Sequence, residues 1–95
     1  MVAPKDSQPH LYSLGGKWKI PVWLDFVKIT CVLNGETQIG EQYFKYGMYV
    51  NEDWMQSYSL GIPNYTKGNL YTIVFEGRGM FNSTLFDIQT TFTAS

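Results

Sequence analysis

Trp18-Lys19-Ile20-Pro21-Val22-Trp23-Leu24-Asp25-Phe26-Val27-Lys28-Ile29-Thr30-Cys31-Val32-Leu33-Asn34-Gly35 is the stretch that says most about this chain. From Val22 to Asn34 it holds no glycine or proline, and β-branched and aromatic residues outnumber good helix formers. That composition suits a pleated, half-buried surface rather than a helix. Read with a period of two, Trp18, Ile20, Val22, Leu24 and Phe26 share one face. The phase then changes, and Val27, Ile29, Cys31 and Leu33 alternate with Lys28 and Thr30. A phase flip inside a continuous strand predicts a bulge or a bend that switches sheets. Pro21 has no N–H for a central ladder, so the first half belongs at an edge or a strand start.

Asn34-Gly35 is the strongest turn signal in the chain. A two-residue turn would set Leu33 against Glu36 and mix apolar with polar. A three-residue loop over Asn34 to Glu36 pairs Cys31 with Ile39 and keeps one apolar face, so the longer loop is expected. Beyond it, Phe44, Tyr46, Met48 and Val50 alternate against Tyr43, Lys45, Gly47 and Tyr49. Asn51-Glu52-Asp53 reads as the turn that ends this strand, with Trp54 to Leu60 a shorter strand after it. Gly61-Ile62-Pro63-Asn64 opens a loop that closes at Lys67-Gly68-Asn69. Tyr71, Ile73 and Phe75 then point one way, Gly77-Arg78-Gly79 and Asn82-Ser83 flank a return, and Phe86, Ile88 and Phe92 face inward.

Glycine-punctuated strands at this spacing predict an all-β fold, a two-sheet antiparallel immunoglobulin-like sandwich of about seven strands. Residues 1–10 are polar with two prolines and are expected to form a flexible N-terminal tail leading into a single domain over 11–95. They carry no apolar stretch of the kind a signal peptide needs. They read like a linker into the extracellular or lumenal part of a larger protein.

The 95 residues are 44% apolar and 17% aromatic, with a net charge of −1. That balance lacks the basic stripe of a nucleic-acid binder. The 3 Trp, 7 Tyr and 6 Phe supply more apolar area than a disordered chain carries. No run of apolar residues is long enough for a membrane helix, so no membrane insertion by this segment is expected.

Candidate chemistry is sparse. The one cysteine, Cys31, lies on the apolar side of its strand, far in sequence from the one histidine, His10. A buried structural thiol is the simpler reading. One Cys, one His and scattered Met residues give no ligand spacing, so neither a metal nor another cofactor is expected. Asp25, Glu41, Glu76 and Asp87 sit in or beside strands, where outward charges are ordinary. Gly77-Arg78-Gly79 lacks the following helix of a phosphate loop. No catalytic residue is assigned.

The aromatics compete better for a function. Trp23 is out of phase with Val22 and Leu24, and Tyr43 and Tyr49 are opposite to Phe44 and Val50. Trp54 and Tyr58 lie on or near expected loops. Tyrosine and tryptophan join a large rigid apolar area to a polar handle, which suits contact surfaces and sugar-stacking platforms. Trp23, Tyr43, Tyr49, Trp54 and Tyr58 are therefore the expected binding residues. Asn64-Tyr65-Thr66 and Asn82-Ser83-Thr84 fit the N-glycosylation acceptor and favour an extracellular or lumenal setting over the cytoplasm.

The closing segments, Gly68 to Gly77 and Leu85 to Thr93, resemble the last hairpin of many immunoglobulin-like and fibronectin-type domains. With Ile62-Pro63-Asn64 before them, they are also similar to the end of the ML lipid-binding sandwiches. The first resemblance implies a recognition sandwich, and the second implies a ligand held between two sheets. The function expected is a non-catalytic module that binds a protein or glycan partner through exposed aromatics. A carrier of a lipid or small apolar ligand, homotypic assembly as a homo-oligomer through an edge strand, and an enzyme using carboxylates such as Asp25 and Glu76 are the alternatives.

Overall fold

The computed structural model describes the backbone of residues 8–94 and the side chains of residues 11–94. The fold is all-β and antiparallel. It comprises β1 (Gln8–Leu33), β2 (Thr37–Ile62), β3 (Leu70–Arg78) and β4 (Thr84–Thr93), with a short 3-10 turn over Met80–Asn82. The sheet order is β2-β1-β3-β4. Among the described residues, four strands stand where the glycine spacing suggested about seven, because β1 and β2 run through the segments expected to interrupt them. Gln8, Pro9 and His10, expected in the tail, already pair with Ile62, Gly61 and Leu60. The rest of the expected tail lies outside the described residues.

Each of the two long strands has 26 residues. Extended, such a strand would span about 86 Å, yet the longest dimension of the molecule is 54 Å. The hairpin must bend, and the register locates the corner. Trp18 pairs with Glu52 and Val22 with Val50, so Lys19, Ile20 and Pro21 oppose Asn51 alone. Unequal residue counts on two paired strands turn both of them. Glu52 takes a left-handed backbone conformation, φ +57°, at this point. Asn51-Glu52-Asp53 is thus the corner of a continuing strand and not the turn that ends it.

Past the corner, the outer halves of β1 and β2 fold back over the sheet. Phe44 and Tyr58 of the same strand would stand about 46 Å apart if it were straight, but their ring centroids are 5.0 Å apart. Tyr12 meets Phe75 at 5.9 Å and Trp54 meets Phe86 at 6.2 Å. The core fills the space between the two layers. Leu24, Val27, Ile29 and Cys31 come from β1, Tyr71, Ile73 and Phe75 from β3, and Trp54, Tyr58, Leu60 and Ile62 from the folded-back part of β2.

The phase flip in β1 falls at Asp25. Leu24 and Val27 are both fully buried, and Asp25 alone opposes Tyr46 and Gly47. Gly47 supplies the φ of +58° that this bulge uses. The flip comes earlier than the sequence pattern suggested. Phe26, expected on the core face, therefore points outward and packs against Tyr43. The hairpin loop covers three residues, with Leu33 paired to Thr37 as expected. Ile39 then bulges, so Cys31 faces Gly40 rather than Ile39. The Asn34 side-chain oxygen accepts the Leu70 N–H at 3.0 Å and ties this loop to the start of β3.

Candidate functional site

The five aromatics singled out as binding residues divide into two groups. Trp23, Tyr43 and Tyr49 lie on the outer face of β1 and β2. Trp23 is paired directly with Tyr49, their ring centroids 5.2 Å apart and nearly perpendicular at 76°. Phe26 and Tyr43 follow along the strands, 5.8 Å apart. Lys28 sits 5.5 Å from the centre of the Tyr43 ring, within cation–π reach, and 3.3 Å from the Glu41 carboxylate. Glu41 first, and then Tyr43, hold the Lys28 ammonium above its usual pKa. Tyr43 and Tyr49 remain 53% and 61% exposed.

On the β3 side, Arg78 closes this surface. It pairs with Phe26 in register and donates to Glu76 and Asp87, each at 2.9 Å. Glu76 is thus held in an ion pair with Arg78. Among the described residues, no three of His, Cys, Asp and Glu gather where a metal ion could sit. Cys31 is buried, and burial pushes its thiol pKa up, away from the thiolate a nucleophile needs. Among the described residues, no helix is long and apolar enough to cross a membrane.

Trp54 and Tyr58 belong to the core and are unavailable to a partner, with 8% and 1% exposure. The misreading came from taking Asn51-Glu52-Asp53 for a chain reversal. In fact the period of two continues through it, and Val50, Trp54, Tyr58, Leu60 and Ile62 all face inward at even positions. The alternation carried that signal, masked by three polar residues in a row. Phe26 was missed for the converse reason, because a bulge is invisible to simple alternation.

Both glycosylation candidates are exposed on turns with left-handed backbone, Asn64 at φ +52° and Asn82 at φ +60°. The Thr66 hydroxyl donates to the Asn64 carbonyl at 2.7 Å. Asn82 ends the Met80–Asn82 turn, whose neighbour Gly79 lies hard against the Trp23 carbonyl. Phe81 in this turn is 96% exposed. A separate open cleft of about 420 Å³ near the corner is lined by Gly15, Gly16, Lys17, Asp53, Trp54 and Met55.

Comparisons with protein-family models, with curated proteins and with solved structures find no match to this chain. The functional reading therefore rests on the face itself.

Proposed function

We propose that this protein is a non-catalytic recognition module, an immunoglobulin-like sandwich in its layering, that binds a glycan or protein partner through the outer aromatic face of β1 and β2. One observation carries the reading: Trp23 with Tyr49, and Phe26 with Tyr43, form two adjacent ring pairs on a solvent-facing surface. Cross-strand ring pairs do stabilise a sheet. Two of them side by side also make a contiguous apolar patch, and such patches mark contact sites. The pairs stand three residues apart on β1, about 10 Å along the strand, a spacing that suits a ring and the next but one in a linear oligosaccharide. Lys28 and Glu41 lie beside them as donor and acceptor for hydroxyl groups. A glycan is the partner class this face suits best. An extracellular or lumenal setting belongs to the same proposal and is supported by the exposure of Asn64 and Asn82 on turns.

A glycan array probed with the labelled protein tests the proposal. Trp23→Ala and Tyr43→Ala are each expected to lower the signal about tenfold or more, while circular dichroism reports an intact sheet. An array to which the protein does not bind, or binding that survives both substitutions, would contradict the glycan reading.

A second reading has its own observation. The hydroxyls of Tyr12 and Tyr58 and the indole nitrogen of Trp54 are buried between the layers without a hydrogen-bond partner. Burial first, and then the Tyr46 phenol, raise the Tyr58 pKa. A small ligand with a polar head, held between the layers, would satisfy such groups. Native mass spectrometry of gently purified protein would then carry an added mass that denaturation removes, and a bare mass would dismiss the carrier.

A further inference from the structure

Free sheet edges present unpaired N–H and C=O groups, and proteins defend them with proline, lysine, bulges or brevity. The edges of this fold differ in that respect. Along Thr37–Val50, β2 carries Glu41 and Lys45 and is broken by the bulges at Ile39 and at Tyr46-Gly47. The folded-back halves hold Pro9, Gly15 and Gly16 on β1 and Glu52 and Asp53 on β2. β4 has fewer of these defences, only the irregularity at Leu85 and the charge of Asp87. Its sequence, Thr84-Leu85-Phe86-Asp87-Ile88-Gln89-Thr90-Thr91-Phe92-Thr93, contains no glycine, proline, lysine or arginine. Against β3 it is irregular only at Leu85, and from Phe86 to Thr93 the ladder is unbroken. Its inner row is also incompletely covered: Ile88 is 43% exposed and Phe86 and Phe92 are half-buried.

We propose that β4 pairs antiparallel with β4 of a second copy of this chain, about a two-fold axis at Gln89. This register sets Phe86 against Phe92 of the second copy, Ile88 against Thr90, Asp87 against Thr91 and Gln89 against its own counterpart. Three features select it. It uses the regular stretch from Phe86 to Phe92 and spares the irregularity at Leu85. It makes two cross-strand phenylalanine pairs on the half-covered inner row, the kind of pair that stabilises a sheet. It also opposes Asp87, the sole charge in β4, to a hydroxyl rather than to its own copy. The product is a closed two-fold dimer with one continuous eight-stranded sheet. Because β4 lies at the opposite edge from β2, the aromatic face of β1 and β2 stays open in the dimer. The pairing stands or falls independently of the glycan reading.

Sedimentation velocity from low micromolar to sub-millimolar concentration tests it on three proteins. The unaltered chain is expected to sediment as a dimer at the upper end. Gln89 is exposed, and Gln89→Lys places two ammonium groups across the axis, so the dissociation constant is expected to rise about tenfold or more with unchanged circular dichroism. Gln89→Cys is expected to form an intermolecular disulfide on mild oxidation, with buried Cys31 taking no part. A chain that stays monomeric throughout, a dimer indifferent to Gln89→Lys, or a dimer in which Gln89→Cys does not cross-link overturns the proposal.

Discussion

Tyr58 meets Phe44, Tyr46 and Phe75 ring to ring, and its hydroxyl is sealed from water without a bond of its own. The ring contacts and the orphaned hydroxyl act in opposite directions. Tyr58→Ala removes the ring and leaves a cavity, a loss of about 3–5 kcal/mol. Tyr58→Phe keeps the ring and discards only the buried polar atom, so stability should hold or rise by about 1 kcal/mol. Urea unfolding of both variants checks the contrast. Burial also acts on the phenols' ionisation. Tyr12 is pushed from 10.0 up to about 12, first by desolvation and then by Cys31 and Tyr65, and Tyr58 is driven higher still by burial. Since the folded state holds these protons more tightly than the unfolded chain, their contribution is complete below the unfolded value of 10.0. It is lost as the pH rises through about 12. Unfolding midpoints should therefore be flat with respect to these groups at neutral pH and fall above about pH 10.

Among the elements, the corner and the bulges decide most. Alternation in Val27 to Leu33 and in Tyr43 to Val50 was legible from residue types alone, as was the three-residue loop at Asn34, whereas Ile20 and Phe26, expected on the core face, lie outside it. What stayed hidden was the continuity of β2 through Asn51-Glu52-Asp53. Polar residues in series look alike whether the chain reverses or merely bends, and only the count on the opposing strand, Lys19-Ile20-Pro21, distinguishes the two. That one ambiguity turned Trp54 and Tyr58 from core residues into expected contacts, while Trp23 precedes the flip at Asp25, and Tyr43 and Tyr49 keep one face because the alternation of β2 runs through its bulge at Tyr46-Gly47. The corner makes a quantitative prediction. Glu52 holds φ at +57°, a conformation costing an ordinary residue about 1–2 kcal/mol. Glycine there relieves that cost at some expense in chain entropy. Glu52→Gly should therefore stabilise the protein by up to about 1 kcal/mol, read as a raised denaturation midpoint.

For the molecule as a whole, a long hairpin folded back on itself gives a chain of 95 residues two layers and one core without a disulfide. The same fold-back sorts its aromatics. Those on the facing sides of the two layers are consumed by packing, and Tyr43 and Tyr49 on the outer side of β2 stay exposed. Everything inferred about the outer face depends on that division. It is tested most directly by a nuclear Overhauser measurement between the ring protons of Phe44 and Tyr58 in solution. With centroids 5.0 Å apart, a clear cross-peak is expected. An absent cross-peak, with both spin systems assigned, would mean an unfolded-back hairpin that leaves these rings about 46 Å apart, and would contradict the account.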